Sequence, residues 1–257
     1  MKPVWEIDEA SIQRWREFGD ANIDNDLVKR RYKSNIERNN LDLSKNKLWR
    51  AFVMCQVTTQ QKSGPKSPVS NFMKLDGSAL QYERCCKIGF DKSGKVKPNN
   101  LKNLKSFLAN ELTEAGLWRA TVIADNLSAI FSVLEAGEWD VLLKHLNTLK
   151  ANTNKVKEDK VANYIKSKIF PRIGLKQSRN YIQSIGLSRY EIPLDSRILK
   201  MLKKMGCTFV PRANGLNDET VYLFLQSGLQ EISKALDIYP CILDACIFSS
   251  SDKADDE

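Results

Sequence analysis

Apolar residues recur every three or four positions along most of this chain, and few stretches alternate as a half-buried strand would. From Ser44 the set Leu48, Phe52, Cys55 and Thr59 falls on one helical face, and the pattern stops at Gly64-Pro65. Ser67-Pro68 reads as a cap followed by a first-turn proline. After Gly89, FDKSGKVKPNN is the best candidate for a long exposed loop. Asn100 is placed to cap a helix carrying Leu101, Leu104, Leu108 and Leu112, which Gly116 closes.

The next helix is predicted from Trp118 to Glu135, with Val122, Ile123, Ile130, Phe131 and Leu134 inward. Gly137 separates it from one bearing Trp139, Leu142, Leu143, Leu146 and Leu149. The polar stretch ANTNKVKEDK then precedes a helix with Val161, Tyr164 and Ile165. A long helix follows around Val221 to Leu236, then a short apolar one from Pro240. The ending SSSDKADDE reads as a disordered tail. With no strand series and no internal repeat, the class is all-α.

The 257 residues suffice for one large domain or one domain with two lobes. The formal charge of +9 is concentrated: from Lys144 to Arg179 there are ten Lys or Arg and two acids, Glu158 and Asp159. Several cations along one track suit a polyanion, because they displace condensed counterions. A solvated helix face would look the same by charge alone. The cysteines at 55, 85, 86, 207, 241 and 246 form no CxxC pair, and His145 is the lone histidine, so a zinc site is not expected. MKPVWEIDEAS lacks the apolar core of a signal peptide, and no run reaches membrane-spanning length; reduced thiols in the cytoplasm are the expectation.

The most informative stretch is Phe170 to Gly206. A helix ends near Ile169, a tight turn runs through Pro171, Arg172, Ile173 and Gly174, and a helix begins near Leu175. Such a hairpin presents unpaired backbone N–H groups, backed by a helix dipole, to a phosphate oxygen. Nineteen residues after Lys176 comes Asp195, ahead of SRILKMLKKMG and therefore also a good N-cap.

This segment resembles the helix–hairpin–helix and following aspartate loop of the helix-hairpin-helix DNA glycosylase superfamily, with the 8-oxoguanine glycosylase/lyase branches the nearest likeness. The family hairpin reads Pro-Gly-hydrophobic-Gly-x-Lys; Pro171, Ile173, Gly174 and Lys176 match it, and Arg172 replaces the first glycine. A catalytic aspartate follows the family lysine at the distance found for Asp195. Upstream, CQVTTQQKSGP resembles the family segment whose glutamine enters the gap left by an extruded base, with Gln60 and Gln61 as candidates.

The resemblance implies excision of a damaged or modified base, then β-elimination through a Schiff base on Lys176, with Asp195 stabilising positive charge on the sugar. Its placement at a helix start in a basic window is expected to disfavour the ammonium form of Lys176. Lys166, Lys168, Arg172, Ile173 and Gly174 are expected to contact DNA. The implied fold is two-lobed with DNA crossing between the lobes: a helical barrel over 48–186, and a second lobe from 1–47 plus 187–248. The expected partner is double-stranded DNA bearing the altered base, without a membrane and with the chain a monomer. Location would follow the DNA, at a bacterial nucleoid or in a eukaryotic nucleus.

Only Cys207, Cys241 and Cys246 follow Asp195, too few for the four-cysteine iron–sulfur cluster of endonuclease III-type relatives, and no cofactor is expected. The resemblance allows a monovalent cation on hairpin carbonyls. Two other readings stay open: a monofunctional glycosylase using water, with Lys176 only on phosphate, and a DNA-binding module without catalysis. Tyr164, Phe170 and Tyr181 read as core, and His145 as structural or exposed.

Overall fold

The computed structural model describes residues 5–39, 41–61, 66–74, 81–169 and 173–254. Thirteen α-helices follow one another among them: α1 Glu9–Asn22, α2 Asp26–Arg31, α3 Lys45–Val57, α4 Pro68–Lys74, α5 Tyr82–Gly89, α6 Pro98–Glu114, α7 Ala120–Val133, α8 Trp139–Ala151, α9 Lys155–Lys168, α10 Leu175–Ser184, α11 Ser196–Lys204, α12 Glu219–Ala235 and α13 Pro240–Ala254. The described residues contain one isolated bridge, Phe90 to Val96, and no strand. The all-α expectation holds.

The chain forms two compact units. The first comprises 1–41, 148–163 and 174–257; the second comprises 42–147 and 164–173. This differs from the division expected from sequence, because 174–186 and 148–163 lie in the first unit. The reason is a buried cation: Arg179 of α10 bonds Asp159 of α9, Glu191, and Gln226 of α12. Gly186 closes α10 at φ +81°, and a Cβ there would stand 2.7 Å from the Ser34 carbonyl oxygen, so only glycine fits.

In the second unit α6 packs on α7, and α3 on α5 and α7. Leu48, Phe52, Leu104, Leu108, Leu112, Ile123, Leu127 and Phe131 are buried there. Ser44 caps α3, and Ser67 accepts from the Ser70 N–H ahead of Pro68, as the sequence suggests. Gly64-Pro65, the expected end of the α3 pattern, lies outside the described residues. The first unit packs α13 against α1, α2, α11 and α12 around Trp15, Ile192, Leu194, Leu199, Tyr222, Leu229 and Leu243.

Several local expectations are corrected. The stretch after Gly89 is a bridged turn, in which Asp91 accepts from the N–H groups of Ser93 and Lys95. α6 starts at Pro98 instead of after Asn100, whose amide donates back to Phe90 O at 2.9 Å. α7 starts at Ala120, which leaves Trp118 outside it, and Val122 faces solvent. α9 begins inside the polar stretch, where Asn154 accepts from the Lys157 N–H. The tail read as disordered continues α13 to Ala254, with Ser249, Ser250 and Ser251 bonding back to carbonyls one turn earlier. The helical run Ala120–Ala151 is long and apolar enough by composition to cross a membrane. Gly137 breaks it at φ +113°, and Ile123, Leu127, Ile130, Leu142 and Leu146 are buried in the protein core.

Candidate functional site

Lys176 and Asp195 each sit at the start of a helix, and the first unit brings them together. Lys176 lies in the first turn of α10, whose N-cap is Gly174 and which no side chain caps. Asp195 is the N-cap of α11, its Oδ1 accepting from the N–H groups of Arg197 at 2.9 Å and Ile198 at 3.4 Å. Lys176 Nζ donates to Asp195 Oδ2 at 3.1 Å. The charge paired with the Lys176 Nζ is thus negative.

The Asp195 side chain is 15% exposed and that of Lys176 32%. Burial alone would push the Asp195 carboxyl up. The charge of Lys176 and the hydrogen bonds and charge of Arg197 outweigh it and hold the carboxyl down at about 2. Asp195 is therefore an anion at neutral pH, wedged between two cations. Sequence reasoning missed Arg197: its Nη2 and Nε donate to Oδ2 at 2.6 and 3.1 Å, and its guanidinium lies 3.9 Å from the Phe248 ring centroid.

Behind this pair lies a polar core that fixes both helix starts. Arg179, completely buried one turn after Lys176, donates to Leu175 O, Asp159 Oδ1 and Gln226 Oε1 and pairs with Glu191 Oε2 at 2.5 Å. Burial pushes the Glu191 carboxyl up to about 7 despite Arg179 and Gln226. Tyr222 Oη accepts from Leu194 N and donates to Ile192 O, pinning the extended segment that delivers Asp195. Glu158 accepts five bonds: Thr153 Oγ1 and Arg189 N on Oε1, and Ser188 Oγ, Tyr190 N and Glu191 N on Oε2. One buried carboxylate thus folds the turn between α10 and that segment.

The remaining candidates fall as follows. Ile173 is buried and Gly174 exposed. Arg172, Phe170 and Pro171 lie outside the described residues, and with them part of the turn whose carbonyls the resemblance allows to hold a monovalent cation. Lys166 and Lys168 occupy the last turn of α9, with Lys168 exposed and Lys166 half-buried. In the second unit the two glutamines differ. Gln60 is exposed at φ +56°, whereas Gln61 is half-buried and its Nε2 donates to Val57 O at 2.9 Å.

Arg119 donates to Thr59 O beside this turn, and its guanidinium lies 6.0 Å from the ring centroid of Trp118, which is 74% exposed. No hydrophobic pattern distinguishes such an exposed aromatic from a core one, so sequence reasoning had no signal for it. Tyr181 is buried, as read; Tyr164 is half-buried, donates to Glu138 at 2.5 Å and lies against the His145 ring at a tilt of 31°.

Solved structures share this fold. The 8-oxoguanine DNA glycosylase of Thermotoga maritima is similar at TM-score 0.62 and 15% identity, over 92% of this chain and 95% of that one. The 8-oxoguanine DNA glycosylase of Methanocaldococcus jannaschii gives 0.58 and 15%, over 93% and 92%. The glycosylase/lyase from the same organism, in complex with a 15mer DNA containing 8-oxoguanine, gives 0.59 and 13%, over 92% and 94%. No protein-family model and no curated protein sequence matches the chain. The helical architecture implied by the resemblance is thus the one that these glycosylases adopt.

Proposed function

We propose that this chain is a DNA glycosylase that excises a damaged or modified base from duplex DNA and then nicks the strand through a Schiff base on Lys176. The observation that carries the reading is the 3.1 Å pairing of Lys176 with Asp195, on two helix starts, in a fold shared with 8-oxoguanine glycosylases. Oxidised guanine is therefore the first substrate to test.

The chemistry follows from the two side chains. Lys176 releases a proton to solvent, and its amine attacks the sugar C1′ as the glycosidic bond breaks. The bond pair leaves with the base, which takes up a proton. Positive charge develops on the sugar, and the anionic Asp195 stabilises it in a partly water-excluded position, where such stabilisation is strongest. The nitrogen then loses a proton, its lone pair forms the C=N bond of the Schiff base as the C1′–O4′ bond breaks, and O4′ takes up a proton; loss of a C2′ proton then expels the 3′ phosphate. Extruding the base costs a few kcal/mol, least for damaged or mispaired bases. Gln60, exposed where Gln61 is folded back, is the side chain assigned to the vacated stack. The reaction needs no organic cofactor or metal.

The test is borohydride trapping on duplexes with 8-oxoguanine or another modified base. Wild-type protein should be trapped covalently, and Lys176→Gln should lose trapping while retaining DNA binding. Undiminished base release by Lys176→Gln would select the water-using mechanism. Absence of base release from every duplex would reduce the chain to a binding module.

A further inference from the structure

Asp195 Oδ2 has two cationic partners, and the reaction above consumes only one. Lys176 approaches from α10. From α11, Arg197 places two N–H groups on the same oxygen at 2.6 and 3.1 Å, and its own backbone N–H is held by Oδ1. α13 contributes the Phe248 ring beneath the guanidinium and Asp244, a like charge near Asp195. Burial keeps the Asp244 carboxyl above its usual range, opposed by Arg31 of α2 and by a hydrogen bond with Gln183 of α10. Arg197 is thus locked by its backbone, a ring face and two N–H groups on one oxygen.

We propose that Arg197, held over the Phe248 ring, is a positioning residue that keeps Asp195 an anion while Lys176 gives up its proton. The proposal rests on the glycosylase reading. An amine must be neutral to attack, and the proton it sheds has two destinations. One is solvent. The other lies along the existing hydrogen bond, on Asp195 Oδ2. If Lys176 were the only counter-charge, its neutralisation would leave a shielded carboxylate unpaired, and that carboxylate would take the proton. A neutral acid would then face the sugar cation. With Arg197 in place, one full positive charge stays on Oδ2 throughout, so the proton leaves to water and Asp195 remains a charge stabiliser.

The experiment uses the full chain and the variants Arg197→Gln, Arg197→Lys and Phe248→Leu, each checked by thermal melting. The Asp195 carboxyl is titrated by carbon NMR in the DNA-free protein, its signal assigned by its absence from Asp195→Asn. Arg197→Gln should raise the Asp195 midpoint by at least about one pH unit, and Arg197→Lys by clearly less. Phe248→Leu, which leaves every charge in place and so reports even where Arg197→Gln does not fold, should raise it by a few tenths. Single-turnover base release at saturating duplex should fall in the same order, most for Arg197→Gln and least for Phe248→Leu. An unmoved Asp195 midpoint in folded Arg197→Gln overturns the proposal. So does undiminished single-turnover release at saturating duplex with weaker DNA binding, which would make Arg197 a DNA contact only. A shifted midpoint in a protein that releases no base at all counts against the glycosylase reading alone.

Discussion

Replacing Glu158 by Gln removes one proton's worth of charge and almost no volume, yet it should be among the most damaging conservative changes in the chain. Both carboxylate oxygens accept from donors, and three of the five donors are backbone N–H groups that cannot rotate away. An amide has one acceptor oxygen. Placed on the Ser188, Tyr190 and Glu191 side, it turns its NH2 against the Arg189 N–H; placed the other way, it faces two backbone donors.

The better arrangement still orphans one buried N–H, at about 1–3 kcal/mol, and weakens the surviving bonds by removing their charge assistance. Arg38, which the charge of Arg189 repels, also loses the favourable charge of Glu158. The total is roughly 3–5 kcal/mol, or a fall in Tm of order 10 °C for a chain this long. Urea unfolding followed by circular dichroism and tryptophan fluorescence measures it. A loss below about 1 kcal/mol would refute the reasoning. It would mean that Asn35, which donates to Gln183 O and Ser188 O, holds the turn without the carboxylate.

Asp195→Asn keeps a good N-cap but loses the charge, so base release should fall about a hundredfold or more. Unfolding should show a loss of only about 2 kcal/mol, the worth of a carboxyl held near 2 instead of 3.8; near-normal release would reduce Asp195 to a cap. That same stability difference should shrink with acid. It is complete above about pH 5 and disappears as pH falls through 4 towards 2, because a depressed carboxyl loses its contribution on protonation. A difference constant across that range would contradict the assignment. Replacing Lys166, Lys168 and Arg172 together by Ala should lower the slope of log affinity against log salt by roughly two to three, about 0.9 for each phosphate that is no longer neutralised. An unchanged slope would move the DNA surface elsewhere.

What the sequence disclosed was local. Asp195 is legible because an N-cap announces itself next to the helix it starts, and Lys176 because the hairpin turn and the nineteen-residue interval bracket it. Arg197 stands only two residues beyond Asp195, yet nothing local says that it turns back onto Oδ2; Phe248, fifty positions away, holds it there. The start of α9 was hidden for a similar reason. Its polar residues look solvated, but Glu158 is buried by a turn thirty residues later. Arg179 reads as one more cation of the basic window, although it is the buried centre that ties α10 to α9 and α12. Charge counted along a chain does not separate a cation facing DNA from one facing its own core.

The two oxygens of Asp195 hold separate offices, Oδ1 for the helix and Oδ2 for the cations. A mutation that spares the first and silences the second is Asp to Asn, which lies a single base transition away in the gene. On the reading proposed above, such a change would leave a folded protein that still finds and turns out an altered base but does not cut it. Descendants of this chain therefore stand one substitution from a sensor that marks lesions for other proteins, and loss of catalysis at this position need not be followed by loss of the gene.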